Sequence, residues 1–313
     1  MKYRTLGKTG AEVSVLGFGC APLGNEFGAV AEAEGARAVR MAVEAGVTFF
    51  DVAPYYGRTL AEERLGRALE GLRDRVFLAT KCCRYDRRGF DFSAERVHAD
   101  IDSGLKRLRT DHVDLFQVHD IEFGDRRQIV EETLPAMRAV QAAGKARFIG
   151  ITGLPVRMLR DVAEAFPVDT VLSYCHHNLL VSDLNEVLGP VVRAQGLGLI
   201  NASPLAMGLL TESPPQPWHP APREVVELCP RIAELCRRRG RTVMEVGLRF
   251  ALDNPMVTTT LSGISDPEQL EQNLAVLDTE SDPELLAEIE DLVGPLKNRT
   301  WHEGLPENAP VLP

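Results

Sequence analysis

Four side chains suited to moving a proton lie at or just beyond the ends of three short apolar runs. The run 47–51 closes on Asp51 and continues through Val52-Ala53-Pro54-Tyr55 to Tyr56; the run 76–81 closes on Lys81, and 113–119 closes on His119. A phenol is a weak acid with an ordinary pKa of about 10. An ammonium beside it favours the phenolate and lowers that value, while a carboxylate holds the ammonium charged and in place. Tyr56 would then exchange a proton with a substrate oxygen near neutral pH, and His119 would orient that oxygen. The set needs no metal. Taken singly, each residue has a plainer reading: Lys81 or Asp51 as half of a structural ion pair, His119 as a satisfied core histidine, and Tyr55 in place of Tyr56. The joint pattern gives the chemical reading its weight.

Such a set must be held by the elements it terminates. Short continuous apolar runs at 15–19, 47–51, 76–81, 113–119, 146–151, 170–173, 197–201 and 257–261 read as strands buried on both faces. Stretches of helical spacing separate them: 32–45, 62–69, 94–108, 129–143, 156–165, 184–194, 225–239 and 242–252. The even spacing, with no shift of composition, predicts one (β/α)8 barrel domain over 1–313. An N-terminal β-hairpin precedes it, and extra helices and a tail follow at the C-terminal side. A doubly wound open sheet is the rival. Against it, Gly17-Phe18-Gly19 stops short of the Gly-x-Gly-x-x-Gly turn of a dinucleotide-binding sheet. The polar residues also gather past strand ends, where barrels keep their sites. The stretches 212–222 and 295–313 fall outside the alternation, as substrate covers or plain connectors.

Lysine and arginine number 35 against 45 aspartates and glutamates, a formal charge of −10. That balance excludes nucleic acid and anionic membranes as partners. Six cysteines lack metal or disulfide spacing and read as reduced thiols of a cytoplasmic protein. The vicinal Cys82-Cys83 pair reads as buried inert thiols, with oxidation sensitivity as the alternative. His176-His177 face opposite ways at a strand end, against a joint metal site. A small-molecule substrate and a monomer or weak homo-oligomer are expected.

The strings FFDVAPYYG, ATK and DLFQVH resemble the corresponding segments of the aldo-keto reductase family, as do YRTLGKTGAEVSVLGFG, GKARFIGITG and NASPLAMGLLTE. The resemblance spans the whole chain. It implies that Asp51, Tyr56, Lys81 and His119 are catalytic, with Tyr56 the acid/base. It also implies that a nicotinamide dinucleotide lies extended across the strand ends. Thr152 and Tyr174 would sit at its nicotinamide end, and Ser203, Leu205, Met207 and Gly208 at its pyrophosphate. Gly263, Ser265, Gln269, Gln272 and Asn273 would hold its adenosine.

Members that prefer NADP carry lysine and arginine where this chain has Gly263 and Gln269, with Asp266 and Glu268 adjacent, so NAD is expected over NADP. Three departures fall at the nicotinamide end: Thr152-Gly153 for Ser-Asn, Tyr174 (or Ser173) for a glutamine, and Ala202 for an aromatic. The strings LSYCHHNLL, LINASPLAMGLLTESPPQPWHPA and LKNRTWHEGLPE are similar to the family branch that oxidises aldoses such as L-galactose or L-fucose at the anomeric carbon to a lactone. His177, at a strand end, and Trp218, Trp301 and His302, in the two stretches outside the alternation, are the candidate substrate-side residues. An NADPH-dependent aldehyde and ketone reductase is the alternative, and a cofactor-sensing subunit without turnover a further one.

Overall fold

The structure is a computed structural model that describes residues 1–309. Two short strands, β1 (Tyr3–Thr5) and β2 (Glu12–Ser14), pair antiparallel. Eight parallel strands follow: β3 (Leu16–Gly19), β4 (Phe49–Asp51), β5 (Phe77–Cys82), β6 (Val113–Val118), β7 (Ala146–Gly153), β8 (Thr170–Tyr174), β9 (Gly198–Ala202) and β10 (Thr259–Gly263). They close a barrel in which β10 pairs with both β9 and β3. The fold is the expected (β/α)8 barrel, with an N-terminal hairpin and C-terminal additions.

The barrel interior is filled by inward residues of successive strands, among them Phe49, Phe77, Leu115, Leu172, Ile200 and Leu261. Phe49, Phe77 and Phe148 stack in a row, at centroid separations of 5.1 and 6.2 Å. Leu6 and Val13 of the hairpin join the same cluster, and the Lys8 amide bonds the Gly196 carbonyl just before β9. The hairpin therefore plugs the end where strands begin. Only the opposite rim, where strands end, stays open to a ligand.

Several boundaries differ from the sequence reading by one or two residues, and three differences have a visible cause. β10 starts at Thr259, two residues later than the apolar run, because Val257 and Thr258 still lead in and the Thr258 amide bonds Leu199. The helix expected over 129–143 begins at Arg126 under an Asp125 cap and passes through a π-helical turn, Ile129–Thr133, before Leu134–Ala142. Pro135 has no amide to close an ordinary turn, which accounts for the wider one. A helix at Pro283–Val293 was not delimited from sequence, although Asp282 caps it and Leu285, Ile289 and Val293 share a buried face. It packs with the helix Arg223–Arg238 around a second apolar cluster outside the barrel. Among the described residues no helix is long and apolar enough to cross a membrane.

Candidate active site

Register brings the first three polar residues together. β4 pairs Asp51 beside Ala79 of β5, and β5 pairs Lys81 beside Gln117 of β6. The Lys81 ammonium then donates to Asp51 Oδ1 at 2.5 Å, to the Val52 carbonyl at 3.0 Å and to Tyr56 Oη at 3.2 Å. Three donors meet three acceptors, so the ammonium is saturated and its direction fixed. Gln117 Nε2 holds the other oxygen of Asp51 at 3.0 Å. Because Tyr56 oxygen accepts from Lys81, its own proton is left for the open side. Tyr55 makes no such bond: its ring lies 3.9 Å under the Arg84 guanidinium.

Burial favours a neutral Lys81, but Asp51 and Tyr56 outweigh it and hold the ammonium charged above its ordinary range. Tyr56 departs from the sequence expectation. Lys81 does favour its phenolate, yet loss of water outweighs the lysine and pushes the phenol up to about 12. His119 lies just past β6, with its ring centroid 5.8 Å from that of Tyr56. Burial drives its pKa down to about 3, so it is neutral at any ordinary pH, and its Nδ1 has no partner. Beside it, Asp120 pairs with Arg84, and its amide bonds the Thr152 hydroxyl at 3.0 Å.

Two of the departures at the nicotinamide end prove to be one arrangement. Glu122 is fully buried behind the rim. It accepts the Leu154 amide at 3.0 Å and the Tyr174 hydroxyl at 3.2 Å on the same oxygen. A Cβ on residue 153 would lie 2.6 Å from its other oxygen, so Gly153 is the space Glu122 needs. Burial and Asp120 push the Glu122 carboxyl well above the usual range, which keeps it neutral.

Tyr56 stands on the wall between two openings. On one side is a cleft of about 460 Å³, reached also by His119, Thr152, Tyr174, Trp218 and Glu303. On the other a groove of about 330 Å³ runs past Ser203, Leu205, Met207 and Gly208 to Gly263, Ser265 and Gln269. Ser203, Ala206 and Met207 all have positive φ (54°, 49° and 51°), which turns the chain after β9 back along the groove. The groove's length, its serine hydroxyls and its end at the Tyr56 wall fit an extended dinucleotide with its reactive ring at Tyr56. No lysine or arginine lines it among the described residues.

Five of the residues named from sequence lie elsewhere. Gln272 is exposed and bonds Glu268, while Asn273 is buried against Ser262 Oγ at 3.1 Å. Both follow Gln269 by three and four residues on the helix Pro267–Ala275, yet neither lines the groove. His177 is buried and stacks on Phe250 at 4.8 Å, away from the cleft. Trp301 packs edge-on against His219 at 5.4 Å, and His302 is exposed. The tail instead delivers Glu303 and Gly304 to the cleft. Sequence reasoning missed those two, and it missed Arg84, Asp120 and Glu122. Among the described residues no group of three or more histidine, cysteine or acidic side chains is placed to hold a metal.

The model of the aldo/keto reductase family matches residues 15–293, and the chain belongs to that family. It is 45% identical to an L-galactose dehydrogenase of Arabidopsis thaliana, over 98% of this chain and 99% of that one. It is 28% identical to a D-threo-aldose 1-dehydrogenase of a Pseudomonas species, over 84% and 89% of the two chains. A solved aldo-keto reductase from Bacillus halodurans, in its holo form, superposes with a TM-score of 0.79 at 25% identity, covering 97% of this chain and 98% of that one. The protein is thus an oxidoreductase of the aldo-keto reductase type, a family that works with nicotinamide cofactors.

Proposed function

We propose that this chain oxidises an aldose, with L-galactose the foremost substrate, at its anomeric carbon to the lactone, using NAD. The observation that carries the reading is the saturated Lys81 ammonium, bonded at once to Asp51 and to the Tyr56 hydroxyl on the wall shared by cleft and groove. The 45% identical L-galactose dehydrogenase supports the substrate, and the 28% identical aldose 1-dehydrogenase supports the reaction class. Bound NAD supplies the hydride acceptor.

The chain's own residues do the rest. Tyr56, as the phenolate that Lys81 steadies, takes the proton of the anomeric hydroxyl and becomes the phenol as the C1 hydride leaves for NAD. His119, neutral throughout, bonds the same oxygen and fixes which face of the sugar meets the groove. Asp51 and Gln117 hold Lys81 in position. Since burial leaves the phenol pushed up to about 12, the base form is scarce at neutral pH, and oxidation speeds up as pH rises.

NAD rather than NADP is favoured by the adenosine end of the groove. There Gln269 spends its side-chain oxygen on the Ser265 amide, and Asp266 caps the helix Pro267–Ala275. A 2′-phosphate would meet a carboxylate and no cation. The test is reduction of NAD by purified protein with L-galactose, followed at 340 nm, beside NADP and beside NADPH with small aldehydes. Lactone formation with NAD supports the reading. Turnover confined to NADPH and aldehydes removes both the cofactor and the substrate assignments.

A further inference from the structure

The tail does more than pass over the rim. The Leu305 amide and Asn308 Nδ2 both bond the Glu122 carbonyl at 2.9 Å, and Asn308 also bonds the Gly124 carbonyl at 3.0 Å. Gly304, at φ +96°, is pressed so close that a Cβ there would lie 2.3 Å from the same Glu122 oxygen. Only glycine fits both that angle and that gap. Three backbone carbonyl contacts and one obligatory glycine thus clip the tail to the loop after β6. The residue just before the glycine, Glu303, is delivered into the cleft that holds Tyr56 and His119.

The carboxylates of this cleft are not equivalent. Asp51 is neutralised by Lys81, Asp120 by Arg84, and Glu26 bonds the Gly57 amide near the mouth. Glu303 is half-buried, and its nearest polar neighbour is the Tyr174 hydroxyl at 3.4 Å, whose single proton lies closer to Glu122, at 3.2 Å. Among the described residues no lysine, arginine or histidine forms an ion pair with it, although Arg84 lies near enough to act on its charge. A carboxylate that is set inward by an elaborate clip and left without an ion pair has acceptor capacity to spend on a ligand.

We propose that Glu303 is a specificity-determining residue: it accepts hydroxyl hydrogen bonds from a neutral polyhydroxy substrate and turns away substrates carrying a carboxylate or phosphate. The inference rests on the reading of the protein as an aldose dehydrogenase. Acceptors facing a sugar's hydroxyls discriminate strongly, because an analogue lacking those groups leaves the buried acceptor unpaired. A like charge brought beside Glu303 is repelled in the same partly dry cleft. Arg84 offsets this only in part, since its guanidinium is committed to Asp120 and to the Tyr55 ring, and Arg87, also on the cleft, lies over the Trp218 ring.

The test compares Glu303→Gln and Asn308→Ala with the wild type, on L-galactose and on its 6-carboxylate analogue, with NAD. Wild-type turnover of L-galactose alone judges the proposed function; an inactive wild type overturns both claims. With an active wild type, Glu303→Gln raises KM for L-galactose by about tenfold or more, as loss of a charged acceptor does. It leaves kcat within about threefold and NAD binding unchanged, and narrows the preference for the neutral sugar over the anionic one by about tenfold. Asn308→Ala, which loosens the clip but keeps the carboxylate, raises KM for L-galactose and narrows the preference by less than Glu303→Gln does. A Glu303→Gln protein with KM and preference both within twofold of wild type overturns the role of Glu303 while leaving the proposed function standing. So does an Asn308→Ala protein that loses the preference to the same extent.

Discussion

The wall carrying Tyr56 and the wall carrying Glu303 are built from different material. Asp51 and Lys81 belong to barrel strands β4 and β5, and Tyr56 and His119 follow within a few residues of strand ends. Their positions are set by the hydrogen-bonded register of the sheet and by a packed apolar interior. Glu303 and Trp218 come from the tail and from the loop after β9. They are held by a few local contacts rather than by sheet register, such as the tail's bonds to the Glu122 and Gly124 carbonyls and the approach of the Trp218 ring to Phe27 at 5.8 Å. Chemistry needs placement within a fraction of an ångström, and strands supply it; recognition of one sugar over another needs a surface that changes without disturbing the barrel, and loops supply that. Damage to the first wall should therefore be severe and independent of the substrate. Damage to the second should alter which substrate is preferred.

The sharpest break of that comparison is Tyr56→Phe. Losing the acid/base hydroxyl should lower kcat by about a thousandfold for every sugar, while NAD affinity, read by fluorescence, stays within about twofold. The rise of wild-type rate with pH should vanish with it, and no acidic limb should arise from His119, which is neutral down to about 3. Next comes Lys81→Met, which strands the buried Asp51 carboxylate. Urea unfolding should show a loss of about 3–5 kcal/mol, and turnover should disappear. The double variant Lys81→Met with Asp51→Leu should recover most of the stability and none of the activity. Equal stability in the single and double variants would show that the pair is not the buried unit described above.

At the far end of the groove the effect should be smaller. Gln269→Arg should improve kcat/KM with NADP by about tenfold by giving the 2′-phosphate a cation. An unchanged ratio of NAD to NADP would remove Gln269 from the account. The smallest effect concerns stability alone. His177 is held near 4, below its ordinary 6.5, so the unfolded chain binds a proton that the folded chain refuses. Its contribution is therefore present above about pH 6.5 and is lost as pH falls toward 4, by at most about 1.4 kcal/mol per pH unit. His177→Phe should flatten part of that decline in Tm; His119, held near 3, contributes with the same sign.

The same contrast decides how much could be read from sequence. The tetrad was legible because each member lies at or just after an apolar run whose length and composition announce a buried parallel strand. The helices 94–108 and 156–165 were legible for the same kind of reason, with Ser93 capping the first and a strongly one-sided apolar face marking the second. Glu303 was not legible. Its place depends on the tail docking to a backbone carbonyl of Glu122, 181 residues earlier in number, and no periodicity encodes such a contact. Trp301 and His302 were chosen for their chemistry, but the positive φ at Gly304 turns the next residue along into the cleft instead. Glu122 was hidden in another way. A carboxylate in a loop looks solvated until Gly153 and Tyr174 are seen to make room for it and to bond it.

The measurement that goes most directly to the proposed reaction is the fate of the anomeric hydrogen. L-galactose deuterated at C1, incubated with the protein and NAD, should give NADH carrying the deuterium, detected by mass spectrometry, together with unlabelled lactone. NADH formed without the label, or label retained in the sugar product, would contradict oxidation at the anomeric carbon by direct hydride transfer.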